Sequence, residues 1–321
     1  MSDERDGWLQ RIGELVDRAA YRQALKVCDQ ALAAHPDLAE AHDFRGFILT
    51  RMGRHPEALS AYDRAITLEP EFVTALLDKA ELLVHHLEED AEAVAVTDRV
   101  LRLASQDLDR AHAHHLKGVA YANLSRHEEA IENFDLAIGL DSEYPDTHCE
   151  RGVSLYESYR FAEALRSLRT ALALDPQYGR PHHFLGCIYD HLGEEDRSRE
   201  ELQLAVRLDG EEEQAPLALE APDFTEAVKE ACHVIPRPVQ RRLAGIRVES
   251  ERLPDRLMLA DGLVLPSATA ALLDEAGGGR LVLYQRNLER MVRTRAELVD
   301  EIAHAIAHEL GHPESPGSPP D

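Results

Sequence analysis

Along the first two-thirds of the chain, small and apolar residues recur at a period of about 34 residues, and within each period they fall at helical spacing. One set comprises Gly46, Ala80, Gly118, Gly152 and Gly186, and a second comprises Ala24, Ala58, Ala93, Ala130 and Ala164. Cys28, Tyr62, Phe134 and Leu168 follow four positions after members of the second set, and Ala31, Ala65, Ala137, Ala171 and Ala205 come next. Pro36, Pro70 and Pro176 close three of the periods. The pattern predicts stacked helix pairs over residues 5–210: a small residue sits where two helices approach most closely, and the larger residue fills the gap to the next pair. The first and last units are degenerate, as end caps are, and the third carries one extra residue near Glu89.

After Leu208 the periodicity stops. Residues 211–222 are polar and acidic and read as a linker closed by Pro222. Residues 223–243 have helical amphipathicity, either broken by Pro236 and Pro238 or divided there into two short helices. Ile246–Ser250 alternates apolar and charged residues as a half-buried strand does, and Leu257–Leu265 reads as a strand or a hairpin around Asp261-Gly262. Gly277-Gly278-Gly279 is a turn into a strand at Arg280–Tyr284. A last helix is announced by Thr294-Arg295-Ala296-Glu297, a capping box. On it Leu298, Val299, Ile302, Ala303, Ile306, Ala307 and Leu310 form an apolar face, His304, His308 and His312 lie opposite, and Pro313 is the expected stop. The reading is a helical repeat array over 1–210, a linker over 211–222, a small α+β domain over 223–312 and a flexible Pro/Ser/Gly tail over 313–321.

The chemistry sits at that last helix. His308-Glu309-Leu310-Gly311-His312 is an HExxH element: residues four apart share a helix face, so two imidazoles can hold one tetrahedral Zn²⁺. Glu309 then stands beside the ion as a general base on its water. The bland alternative is a pair of surface histidines on a terminal helix. The doublets His85-His86, His114-His115 and His182-His183 point about 100° apart on a helix and are read as surface residues.

Composition narrows the partners. The formal charge is −25, yet residues 223–312 hold 14 acidic and 12 basic side chains, so the excess acidity lies upstream of them. Such an array is expected to bind neither nucleic acid nor an anionic membrane. Cys28, Cys149, Cys187 and Cys232 are widely spaced and read as reduced packing thiols. Residues 1–6 lack a secretory pattern and no apolar run reaches membrane-spanning length, so a cytoplasmic location is expected.

The repeat register resembles the tetratricopeptide repeat family over roughly six units. That resemblance implies protein or peptide binding along a concave face, with Phe47, His115, Cys149, Arg180 and His183 as groove candidates; the four lysines of the chain offer no basic carboxylate clamp. The order of elements from Asp223 to His312, with Leu283-Tyr284-Gln285-Arg286-Asn287-Leu288-Glu289-Arg290 ahead of an HExGH helix, resembles the zincin-like metallopeptidases of bacteria. It implies His308 and His312 as zinc ligands, Glu309 as the catalytic glutamate, and Leu281, Val282, Leu283 and Tyr284 as an edge that pairs with extended substrate. Where that family places a third ligand, this chain has Ser315 and Ser318, which leaves Glu314, Asp321 and His304 as candidates; Tyr284 and His304 are candidates for the oxyanion. The expected fold is an α-solenoid of tetratricopeptide helix pairs plus a small C-terminal zincin-like α+β domain. The expected function is that of a zinc-dependent metallopeptidase whose repeats recruit a substrate or partner, the alternative being a non-catalytic adaptor.

Overall fold

The computed structural model describes residues 2–208, 217, 219–254, 266–273 and 279–310. The repeat region comprises the helix pairs α1 (Ser2–Asp17) with α2 (Tyr21–Ala34), α3 (Ala39–Arg51) with α4 (His55–Leu68), and α5 (Val73–Leu82) with α6 (Asp90–Leu103). It continues through α7 (Asp107–Asn123) with α8 (His127–Leu140), α9 (Pro145–Glu157) with α10 (Phe161–Leu174), and α11 (Gly179–His191) with α12 (Glu195–Leu208). Contacts divide the chain into two compact units, Met1–Ser154 and Leu155–Asp321.

Packing follows the sequence register. Ala24, Ala58, Ala93, Ala130 and Ala164 are fully buried, as are Cys28, Phe134 and Leu168, with Tyr62 only 2% exposed. The small first-helix residues are needed for space. A β-carbon at Gly46 would lie 2.5 Å from the Tyr62 ring, one at Gly118 2.6 Å from Phe134, and one at Gly186 2.6 Å from Leu202.

The turn between the helices of a pair passes through a left-handed residue, Ala19, Gly53, Glu88, Ser125, Tyr159 or Gly193. The following amide closes the first helix, as in Ala20 N–H to Leu15 O and Arg126 N–H to Tyr121 O. In the third pair that amide, Glu89 N–H, reaches back one residue further to Leu83 O, and Leu83–Leu87 widens into a π-helix. The extra residue near Glu89 is absorbed there, and the stacking of the surrounding pairs is kept.

Beyond the array, α13 (Ala221–Val234) and α14 (Arg237–Leu243) are two helices separated at Ile235-Pro236. Three strands follow, β1 (Arg247–Glu251), β2 (Ala270–Leu273) and β3 (Arg280–Tyr284), then α15 (Gln285–Arg290) and α16 (Arg295–Glu309). The sheet order is β1-β3-β2, with β1 parallel and β2 antiparallel to β3. One core joins Phe224, Ala227 and Ala231 of α13 to Leu281 and Leu283 of β3 and to Leu298, Ile302 and Ile306 of α16. The expected strand at 257–265 and the tail at 313–321 lie outside the described residues, as do Gly277 and Gly278 and most of the expected linker.

Candidate active site

Helix α16 starts where the sequence places it. Thr294 Oγ1 accepts from Glu297 N–H at 3.2 Å, and the Glu297 carboxylate accepts in return from Thr294 N–H at 3.1 Å and Arg293 N–H at 2.8 Å. These backbone bonds hold the Glu297 carboxyl below its ordinary range. The apolar face is buried through Leu298, Val299, Ile302, Ile306 and Leu310. The helix closes at Glu309 with Leu310 as its C-cap, short of the stop expected at Pro313. There the Arg242 guanidinium donates to the Leu310 carbonyl, which takes up one of the free acceptors of the last turn. His312, Glu314 and Asp321 lie outside the described residues.

His308 and Glu309 adjoin at this end. The His308 side chain is 72% exposed, and its Nδ1 lies 3.5 Å from Glu309 Oε1. The other carboxylate oxygen, Oε2, accepts from Leu272 N–H at 3.2 Å. His304 is half-buried one turn earlier. Among the described residues no three His, Cys, Asp or Glu side chains converge as a metal site, so the described part does not by itself make a complete ligand set for zinc.

The edge of the sheet differs from the expectation. Leu281, Val282, Leu283 and Tyr284 form the central strand, paired on both sides, and cannot be the edge that takes a substrate. Their unbroken apolar run belongs to a strand buried on both faces. Tyr284 is fully buried with Val282 and Ala271. The strand beside Glu309 is β2, which among the described strands stands at an edge of the sheet. Tyr284 N–H donates to Thr269 O, which makes the 271/282 pair a hydrogen-bonded one and turns the Ala270 and Leu272 amides outward.

Buried polar residues hold β2 in place. Asn287 Nδ2 donates to Pro266 O at 2.8 Å and Ala268 O at 2.7 Å, fixing the approach to the strand. Glu289, 1% exposed, accepts from Leu219 N–H at 2.9 Å and from Gln285 Nε2 at 2.7 Å. Asp190 of α11 receives Arg290 Nη2 at 2.5 Å and Arg252 Nη2 at 3.4 Å, with Arg286 Nε at 3.9 Å. Ser267 Oγ donates to Glu157 at 2.8 Å, and burial still pushes that carboxyl up to about 7. The last repeat helices and the α+β part are thus joined by ion pairs within the second unit. Sequence reading missed Asp190, Asn287 and Glu289; the last two stand within the Leu283–Arg290 stretch already singled out.

The groove candidates separate into two kinds. His115 and Cys149 are buried, which corrects their assignment as groove-lining residues. His115 accepts or donates at Nδ1 to Thr147 Oγ1 at 3.0 Å and packs on Phe134 and Tyr144, and burial pushes it down to about 4. Their row turns toward the neighbouring pair because a two-layer stack covers it. Phe47 is half-buried with the Arg51 guanidinium 5.4 Å above its ring, Arg180 is exposed with its guanidinium 5.8 Å from the Phe184 ring, and His183 is half-buried beside Cys187 Sγ at 3.6 Å.

Fold and site together define a class: an array of helical hairpins followed by a small three-stranded α+β domain that ends on a capped helix. Tetratricopeptide repeat profiles match residues 48–108, 111–144, 145–178 and 180–212, and the zincin-like metallopeptidase family matches residues 231–314. The chain therefore carries tetratricopeptide repeats over 48–212 followed by a zincin-like domain over 231–314. A comparison with curated proteins finds no match. Among solved structures, PilW, a widely conserved type IV pilus biogenesis factor, is 17% identical with a TM-score of 0.60, over 65% of this chain and 95% of its own. Pseudomonas aeruginosa PilF is 17% identical with a TM-score of 0.59, over 70% and 98%. The APC/C hetero-tetramer Cut9–Hcn1 is 18% identical with a TM-score of 0.58, over 65% and 41%. At these identities the likeness is one of fold. The repeats indicate protein or peptide binding, and among the described residues no helix is long and apolar enough to cross a membrane.

Proposed function

We propose that the chain is a zinc-dependent peptidase whose repeats recruit or present a protein substrate. His308 and His312 would hold Zn²⁺, which when bound supplies an activated water and polarises the scissile carbonyl. Glu309 would take the proton as general base. The observation that carries this reading is the bond from Leu272 N–H to Glu309 Oε2, which sets the carboxylate of the HExxH element against the outward side of β2, an edge among the described strands. An extended peptide adding to β2 would pair with the outward amides of Ala270 and Leu272, and its backbone would then run past Glu309. Substrate entry requires Glu309 to release Leu272 N–H, so the contact is an inactive resting arrangement in this reading. Cys28, Cys149 and Cys187 are buried thiols, in keeping with a reducing compartment, and the cytoplasm is the proposed location.

The test is hydrolysis of a denatured protein substrate by the zinc-reconstituted chain. Glu309→Gln is expected to lower kcat by about 100-fold or more with zinc retained. Equal rates in wild type and variant would overturn the peptidase reading. They would favour a non-catalytic adaptor instead.

A further inference from the structure

Cations on the first helices form a ladder with carboxylates on the second helices. Arg45 of α3 binds Asp29 of α2 at 3.1 Å, and Lys79 of α5 binds Asp63 of α4 at 2.8 Å. Lys117 of α7 binds Asp98 of α6 at 2.6 Å, and Arg151 of α9 binds Asp135 of α8 at 2.6 Å. Each rung ties a first helix to the second helix of the pair before it, and the rungs recur at the repeat period. One period before Arg45 the register falls on Arg11 of α1. No described helix precedes α1, and Arg11 is exposed with no carboxylate partner among the described residues.

The surface around Arg11 has the character of an open place in the stack. Leu15 stands one period before Leu49, which is fully buried in a core that reaches back to Leu25 of the preceding pair; Leu15 itself stays half-buried. Leu15 and Val27 line a recess of about 410 Å³ between α1 and α2, together with exposed Arg11, Arg18 and Lys26. Glu14, the carboxylate in the same lining, accepts from Gln10 Nε2 at 3.2 Å, and Asp29 of α2 is committed to Arg45. From Gly7 to Ala34 the chain has four basic and three acidic side chains, against −25 for the whole, so this end is locally cationic. Both helices of the first pair build the recess, apart from the groove candidates Phe47, Arg180 and His183.

We propose that this open end is a docking site for an acidic amphipathic helix of a protein partner, which takes the place of a preceding second helix. An aspartate of the partner completes the ladder on Arg11, its apolar side covers Leu15 and Val27, and further carboxylates meet Arg18 and Lys26. The occupant is a helix because each of the four rungs receives its carboxylate from one, and acidic because the cations here lack counter-charges. A second copy of the chain does not supply it: after Asp135 the register reaches Arg169 and then Gln203 on α12. The site does not depend on the peptidase reading, since every residue that forms it lies in the first unit.

A helix-stabilised peptide with the sequence of α8, which carries Glu128, Glu129, Glu132 and the rung aspartate Asp135, is the probe, titrated with full-length chain by fluorescence anisotropy. Saturable one-to-one binding is expected. Arg11→Gln in the chain and Asp135→Asn in the peptide should each weaken it about fivefold, with little further loss when the two are combined. Arg102→Gln removes the same charge from an exposed position on α6 and should leave affinity unchanged. Absence of saturable binding, wild-type affinity in Arg11→Gln, equal weakening by Arg102→Gln, or fully additive losses would each overturn the proposal. So would self-association of the chain that Arg11→Gln abolishes, because a second copy would then be the occupant.

Discussion

Asp43 and Asp78 show how burial and neighbouring charge act on a carboxyl in the repeat array. Burial, then Asp78 and Glu40, push Asp43 up to about 8; burial, then Glu81, push Asp78 up to about 7. Because the folded chain holds these protons more tightly than the unfolded chain, their contribution is full below the ordinary carboxyl range and is lost as pH rises through about 7 to 8. Asp43→Asn mimics the protonated form, so its thermal midpoint should exceed that of wild type by a margin that grows from acid pH to about pH 8 and then levels off. A margin constant with pH would exclude the raised carboxyl. At Gly46 the constraint is steric. Gly46→Ala should cost about 1–3 kcal/mol through overpacking against Tyr62, and a Tyr62→Leu background should recover part of it, as denaturant titration of the double-mutant cycle would show.

Among elements, α16 and β3 differ in how far the sequence exposes them. The cap, the apolar stripe and the start of α16 are all local features, legible from Thr294, Glu297 and the spacing of Leu298, Ile302 and Ile306. Thr294→Ala should remove about 1 kcal/mol, measured as a lower unfolding midpoint of the second unit. The run Leu281–Tyr284 was readable as a strand, and its lack of polar alternation already points to a central position rather than an edge. β2 was not readable: Ala270-Ala271-Leu272-Leu273 has no β-preference of its own and becomes a strand through pairing with β3. The edge strand of the candidate site was therefore hidden, although the HExxH element was plain. Groove residues suffered similarly, since repeat position fixes which row a residue joins but not how deeply the next pair covers it, as His115 and Cys149 show.

Across the whole chain, the two families are adjacent in sequence and also joined within the second unit. Asp190 and Arg290, 5% and 8% exposed in their side chains, link α11 to α15. Asp190→Ala leaves Arg290 buried without its partner and should cost about 3–5 kcal/mol, with faster hydrogen exchange spreading from α11 into β2 and α15. Exchange confined to α11 would show the linkage to be incidental. Long-range pairs of this kind cannot be seen in a single sequence, where Asp190 and Arg290 are each one charge among many. The C-terminal helix is proposed as the metal-binding element of the chain. Zinc content of the purified full-length chain after reconstitution and dialysis tests that directly. One ion per chain is expected, retained in Glu309→Gln and lost in His308→Ala and His312→Ala; a chain that keeps no zinc, or keeps it after both histidines are replaced, would contradict it.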